Sequence, residues 1–206
     1  MSAGEGKNPE NKFVRRRKAT RAELLRLGIE RFPLKGYSST TIDDLVRESG
    51  YTRGAFYFHF TGKEEFFLEV LRARIDLRDE WWTVVRDPKV TDTLSAILAG
   101  LGRLREIEDD DVWPLLVVDF FQTIREQGEY LEQLRELYTQ WIAELAIFVR
   151  EIQGRGFARL DLDPETLAAE ILATAEGHAM HHALYETPSE LLVDALLRVI
   201  APAPAV

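Results

Sequence analysis

TRAELLRLGIERFPLKGYSSTTIDDLVRESGYTRGAFYFHFTGKEEFFLEVL, residues 20–71, is the stretch on which the fold turns. Thr20 and Glu23 have the separation of a capping box, in which a hydroxyl and a carboxylate satisfy each other's orphan backbone N–H groups. Leu24, Leu25, Gly28, Ile29 and Phe32 then fall on one helical face, and Pro33 with Gly36 marks the end of that helix. Thr41 with Asp44 opens a short second helix, whose inner face is Ile42, Leu45, Val46 and Ser49, and Gly50 punctuates it. A third segment runs from Thr52 to Phe60, with Phe56 and Phe60 one turn apart. Thr61 with Glu64 opens a longer helix carrying Phe66, Phe67, Val70, Leu71 and Ile75.

Two short helices separated by Gly50 and preceded by a third have the spacing of a helix-turn-helix. In that geometry the second short helix enters a DNA major groove, about 12 Å wide, and its first turn reaches the base edges. Phe56 and Phe60 are the inward anchors, while Thr52, Arg53, Gly54, Ala55, Tyr57 and His59 face outward. Gly54 and Ala55 lack bulk, which lets the backbone approach the duplex.

The charge distribution agrees. Residues 1–75 hold fifteen Lys and Arg against ten Asp and Glu, a balance of +5, and the remainder balances at −14, for a total of −9. A basic head on an acidic body points to a polyanion as partner of the head alone. Residues 1–17, rich in Gly, Asn, Pro and charge, are expected to form a flexible basic arm, and the closing APAPAV, residues 201–206, a frayed tail. The N-terminus has no apolar segment of a secretory signal, and no apolar run approaches the roughly 20 residues of a membrane span. The absence of cysteine excludes disulfides and thiolate metal sites. A cytoplasmic protein with no membrane partner is the expectation.

On these residues the stretch resembles the DNA-binding domain of the TetR family of transcriptional regulators. The resemblance is carried by Phe32, Gly36-Tyr37, Thr40-Thr41-Ile42, Gly50, Gly54, Phe56-Tyr57, His59-Phe60 and Lys63-Glu64, in order and at the family's spacing. Gly28, Pro33, Ser49 and Tyr51 depart from the usual residues. Tyr51 is read as a core ring, with a hydroxyl turned toward DNA as the alternative. The resemblance implies phosphate contacts from Thr41, Thr52, His59 and Lys63, base reading by Arg53, and a base or phosphate contact from Tyr57. The chemistry fits: a hydroxyl at a helix start donates to phosphate beside backbone N–H groups, and an arginine bonds a guanine edge bidentately. The blander alternative makes Arg53 and Lys63 solvated charges and Tyr57 a half-buried aromatic.

The rest of the chain reads as longer helices: within 91–107, around 112–127 from near Pro114, and over 129–154. Two more open at Asp163-Pro164 and at Thr187-Pro188-Ser189-Glu190. The 129–154 helix carries the stripe Leu131, Leu134, Tyr138, Trp141, Leu145, Phe148 and Ile152. The expected fold is therefore all-α, with an N-terminal three-helix helix-turn-helix domain, residues 18–63, and a C-terminal helical domain, residues 64–200. The resemblance makes the second domain the seat of ligand binding and of homodimerisation through a four-helix bundle. Ala168, Ala169, Ala173, Ala175, Ala179 and Ala183 would permit close approach there, with the 129–154 stripe and the 164–185 helix as the expected bundle elements.

Candidate pocket residues are Trp82, Trp113, Asp119, Phe120, Trp141, Phe148 and His178, each of which is otherwise plain core or surface. Asp119 would select a cationic ligand if it faced the pocket, and otherwise faces solvent or pairs with an arginine. His178 and His182 stand one turn apart, as zinc ligands do, but no cysteine or matching carboxylate motif completes a site. Hydrogen bonding in a pocket or interface is the preferred reading, and neither metal nor cofactor is expected. Enzyme chemistry is disfavoured because the chain has no Gly-rich phosphate loop, no cysteine nucleophile and no nucleophile–base spacing. The function implied is a ligand-responsive regulator, a repressor released from a double-stranded operator by a small, largely apolar or aromatic molecule. The alternative is a regulator answering to a protein partner. In the first case the helix opened at Thr61 is expected to carry the signal between the domains.

Overall fold

A computed structural model describes residues 9–47, 49–78, 80–107 and 112–202. Among them the fold is all-α, without a strand. The elements are α1 (Pro9–Lys35), α2 (Ile42–Val46), α3 (Arg53–Tyr57), α4 (Lys63–Leu77), a 3₁₀ turn (Trp81–Arg86), α5 (Thr93–Ile107), α6 (Trp113–Ile124), α7 (Gly128–Gly154), α8 (Pro164–Tyr185) and α9 (Ser189–Ile200). No helix among the described residues is long and apolar enough to cross a membrane. The chain divides into two compact units, one ending at Ala73 and the other starting at Arg74.

The first helix corrects the expectation of a flexible arm through residue 17. It begins at Pro9 and runs unbroken past Thr20, so residues 9–17 are helical. Residues 1–8 of the expected arm and 203–206 of the expected tail lie outside the described residues. Proline at a first helical position loses no hydrogen bond, and the Lys and Arg that follow are good helix formers. Thr20 is therefore interior, and its capping box with Glu23 does not arise, since an N-cap must leave the helical conformation. Pro33 is tolerated within the last turn, and Gly36 N–H bonds to the Phe32 carbonyl at 2.9 Å as the helix closes.

The second cap is as read. Thr41 accepts from Asp44 N–H at 3.1 Å and donates its own N–H to Asp44 Oδ2 at 3.1 Å. Lys35 Nζ, 2.7 Å from Asp44 Oδ1, and the Thr41 hydroxyl hold the Asp44 carboxyl well below the usual carboxylate range. The turn to α3 passes through Gly50 at φ +77°, a conformation that favours glycine. Thr52 then caps α3 by accepting from Ala55 N–H at 3.2 Å. At α4 the partner differs from expectation: Thr61 N–H and hydroxyl both donate to Glu65 Oε2, at 2.6 Å, not to Glu64. The helix starts at Lys63, so Glu65 is its third residue and has the reach-back position.

The core of the first unit is aromatic. Phe32, Tyr37, Phe56, Phe66 and Phe67 are wholly buried. Phe66 meets Phe56 and Phe60 edge-on, with centroids 5.0 and 4.7 Å away. Gly28 has a steric reason: a Cβ there would stand 2.5 Å from Val70 Cγ2 and 2.9 Å from Phe66 Cζ. Because Phe66, Phe67 and Val70 pack into this core, the division falls at Ala73 and not at the expected residue 63.

In the second unit α7 packs on α8, and α9 on α8 and α5. Trp81 stacks on Phe148 at 5.2 Å and 17°. Asp163 caps α8 by accepting from Thr166 N–H at 3.0 Å, with Pro164 at the first helical position as expected. The start of α9 shifts by one residue: Pro188 is its N-cap, without a side-chain hydrogen bond. The α7 stripe faces inward, with Leu134, Phe148 and Ile152 buried and Glu132, Arg135, Glu136, Thr139 and Gln140 exposed. The outward side of α7 is thus polar, and Leu131, Tyr138, Trp141 and Leu145 of the stripe are half-buried.

Candidate DNA interface and effector cavity

α3 is held by its two ends. Phe56 and Phe60 anchor it in the aromatic core, which leaves Thr52, Arg53, Gly54 and Tyr57 exposed and Ala55 and His59 half-buried. These are the expected outward residues, and Tyr51 is half-buried beside them. Arg53 does not project freely: its charged form is favoured first by Tyr57 and then by Asp43 on α2, whose Oδ2 lies 3.0 Å from the guanidinium. Thr41 is exposed, with its hydroxyl donating to Asp44 Oδ2 at 2.7 Å in its own cap.

Lys63 has partners that its position in the sequence does not suggest. Its ammonium donates to the carbonyls of Tyr37 and Thr40 at 3.0 Å and of Ser38 at 3.3 Å, and lies 4.4 Å from the centre of the Tyr37 ring. An ammonium has three donors, and here they close the turn between α1 and α2 onto the start of α4. The geometry makes Lys63 a clamp for the motif before it is anything else.

Two features escaped the sequence reading. Phe58, at the end of α3, is 59% exposed, and the Arg17 guanidinium lies 5.4 Å from its ring centre. Its position two residues from both anchors, about 200° round the helix, was a signal for an outward aromatic. The second feature is that the basic run, expected to form a flexible arm, is carried on the helix α1. Lys12, Arg15, Arg16, Arg17 and Lys18 are exposed on helical turns that reach α3 through Arg17. Burial first, and then the charges of Arg17 and Arg21, push the His59 imidazole below its ordinary value, so it favours the neutral form.

The second unit contains a partly open cavity of about 270 Å³. Of the expected pocket residues, Trp113, Trp141 and His178 line it; Trp82, Asp119, Phe120 and Phe148 do not. Trp81 takes the place of Trp82, because the chain enters the 3₁₀ turn through Glu80 in a left-handed conformation, φ 51°, which sets the rotation of the turn. Trp82 instead lies under the Arg86 guanidinium, and Phe148 sits behind Trp81. Phe120 is wholly buried, and Asp119 is half-buried away from the cavity.

The polar lining comes from Arg74, Arg78, Arg105, Glu144, Glu176 and His178. Arg74 is 4% exposed, its guanidinium 3.6 Å from the centre of the Trp113 ring. The Tyr138 hydroxyl donates to Glu176 Oε1 at 2.8 Å. Burial pushes the Glu176 carboxyl up, against the pull of that hydrogen bond, and burial also pushes the Tyr138 hydroxyl up. Trp141 Nε1 is buried without a hydrogen-bond partner. His178 and His182 stack at 6.3 Å, and His182 Nδ1 lies 2.8 Å from the Thr187 carbonyl. Among the described residues no three His, Cys, Asp or Glu gather as a metal site.

Comparison with known proteins bears on both units. Residues 24–70 match the family described as bacterial regulatory proteins, tetR family, and residues 123–193 match the tetracyclin repressor-like C-terminal domain. The HTH-type transcriptional repressor DhaR of Mycobacterium sp. strain GP1 is 27% identical over 165 residues, which is 78% of this chain and 81% of that one. A TetR-family regulator from Cytophaga hutchinsonii superposes with a TM-score of 0.66 at 16% identity, over 89% of this chain and 94% of that one. Regulatory protein TetR from Rhodobacter sphaeroides gives 0.65 at 23% identity, over 86% and 97%. A reading helix held on an aromatic core, a helical body and these matches at both ends lead to one assignment: the chain belongs to the TetR family of helix-turn-helix, DNA-binding transcriptional regulators.

Proposed function

We propose that this protein is a homodimeric repressor that leaves a near-palindromic operator when a small molecule occupies the cavity of its second unit. The observation that carries the reading is the presentation of α3: small and hydrogen-bonding residues outside, two buried phenylalanines inside. Arg53 reads a base edge, with Asp43 and Tyr57 fixing its direction. Thr52, Tyr57 and His59 contact phosphate or base, Gly54 and Ala55 allow close approach, and Thr41 lies at the edge of the same surface. Phe58 adds an apolar contact of the kind made to thymine methyl groups, and the basic turns of α1 lie along flanking phosphates.

Twofold operators call for twofold proteins. The apolar surface available for a second copy is on α8 and α9. Ala173, Gly177, Met180 and Leu184 are all exposed at helical spacing on α8, and Leu191 of α9 is 51% exposed. The effector cavity supplies the switch. Arg74 and Arg78, in its wall, stand on and just beyond the last turns of α4, the helix whose first residue is Lys63. A ligand that favours one placement of α4 over another changes the spacing of the two reading helices. It does so only to the extent that it binds the two placements unequally.

Selection of bound fragments from a random DNA pool tests the reading. The expected outcome is an enriched near-palindrome whose affinity falls steeply with salt. Arg53→Ala is expected to relax preference at one position per half-site by about 1–3 kcal/mol. A pool that shows no enrichment overturns the proposal.

A further inference from the structure

We propose that Glu176 selects the effector by its hydrogen-bond donor: the occupant is an apolar molecule bearing an amine or a hydroxyl, which donates to this carboxylate. The inference rests on the cavity being the effector site and adds the chemistry of its occupant.

The charged groups of the wall are not alike. Arg74, Arg78, Glu144 and His178 have partners within the protein, and Arg105 is exposed to solvent. Glu176 has a neutral partner: its Oε1 accepts from the Tyr138 hydroxyl at 2.8 Å. One hydroxyl takes up part of its capacity, since the two oxygens of a carboxylate offer about four lone-pair sites. A neutral donor also leaves the charge itself unanswered. Leu172, Ala173, Ala179 and Met180, one turn to either side on α8, are uncharged. Burial pushes the carboxyl up and the Tyr138 hydrogen bond draws it down, and no cation among the described residues acts on it.

Position makes this capacity available to an occupant. Glu176 is half-buried and lines the cavity. Tyr138 is its positioning residue: the hydroxyl holds one carboxylate oxygen, and the ring meets Trp141 of the cavity wall edge-on at 4.9 Å. An acceptor held in this way stands ready beside an apolar lining that includes Trp81, Trp141, Leu145 and Ile171. A hydrogen bond to an ionised acceptor is stronger than one between neutral groups, so an occupant with a donor gains most there. An anionic occupant meets like charge at Glu176 and finds Arg74 and Arg78 already engaged. An occupant with acceptors only, such as an ether, leaves the carboxylate as it was. About 270 Å³ limits the apolar body to a small one.

The test is calorimetric titration of the full chain with matched probes: phenethyl, naphthylmethyl and octyl bodies, each carrying a hydroxyl, an amine, a methyl ether or a carboxylate. The expected result is that on at least one body the alcohol or the amine binds, and the ether about ten-fold or more weakly, a difference of about 1.4 kcal/mol. The carboxylate is expected to bind no tighter than the ether. Glu176→Gln, which keeps an acceptor for Tyr138 and removes the charge, is expected to narrow the gap between donor and ether to about three-fold or less. A merely structural role would weaken both alike and leave the gap. The comparison of donor with ether is made on the unaltered chain, so it decides even where the variant does not fold. An amine that outbinds its alcohol assigns a cationic effector, and the reverse order a neutral one, each within the proposal. Ethers or carboxylates that bind as tightly as the donors overturn it, as does a panel in which no donor binds. Operator affinity in the presence of each binder separates the two levels. If an ether binds as tightly as its alcohol and releases DNA, the effector site stands and the donor requirement falls. If a donor binds as expected without changing operator affinity, the ligand class stands and the effector reading falls.

Discussion

Lys63 and His59 stand within five residues of each other and answer to different physics. Lys63 donates to three backbone carbonyls of the α1–α2 turn. Lys63→Met is therefore expected to destabilise the first unit by about 1.5–3 kcal/mol, the range for hydrogen bonds to a charged group. Melting of the variant, alongside its salt dependence of DNA binding, checks this: a lowered Tm with an unchanged salt slope supports the clamp, and the reverse supports a phosphate contact. His59 is pushed toward its neutral form by burial, Arg17 and Arg21. A phosphate brought beside it acts in the opposite direction and raises its pKa in the complex. The complex then holds more protons than the free protein, so operator affinity rises as pH falls through the interval between the two values. Measurements at pH 8, 7 and 6 are expected to show that rise in the parent protein and a flatter profile in His59→Gln. The outward direction of Arg53 and Tyr57 was legible in the sequence because helical periodicity alone sets it. The partners of Lys63 were not, since they lie 23 to 26 residues away and meet it only through the fold.

Helix signals were legible where a cap has no competing helix. Thr41 and Asp163 cap as the sequence implies. Thr20 does not, because the basic residues before it extend the helix back to Pro9 and turn a start into an interior position. That extension gives α1 its own consequence for DNA. Lys12, Arg15, Arg16, Arg17 and Lys18 are carried on a rigid element that touches the end of α3 through Arg17. Replacing Arg15, Arg16 and Lys18 with glutamine is expected to lower the salt slope of binding by up to about 0.9 for each phosphate left without its cation. The preferred sequence should be unchanged, because phosphate contacts position without specifying. Operator titrations across a salt series, and a repeated fragment selection, read the two effects separately; a shift in the selected sequence would place these residues among the base-reading groups.

For the molecule as a whole, the all-α class and two-part organisation were legible, and the lining of the cavity was legible only in part. Trp113, Trp141 and His178 were found because aromatic and polar residues at helical spacing stand out. Arg74 and Arg78 were missed because charged residues read as surface in a sequence, and only the fold turns them inward. Trp82 was preferred to Trp81 because nothing in the sequence marks the left-handed Glu80 before them. The dimer belongs to this scale. Leu184→Asp, at a side chain 67% exposed on α8, is expected to leave the fold of the protomer intact. Sedimentation should shift the variant from dimer to monomer, with operator affinity falling in parallel. A variant that remains dimeric places the interface elsewhere.

The division at Ala73 has a consequence for phase. It cuts through α4, so the two units are joined by an unbroken helix with no loop between them. A loop tolerates a change of length; a helix converts it into rotation. One residue inserted after Ala73 turns everything beyond it by about 100° and advances it by about 1.5 Å. Seven residues make almost two full turns and restore the angle while displacing the units by about 10 Å. Hybrids that join this reading head to another family member's body therefore have to match register within α4 as well as sequence at the junction. In such hybrids the response to effector should recur with the helical repeat as the junction is lengthened residue by residue.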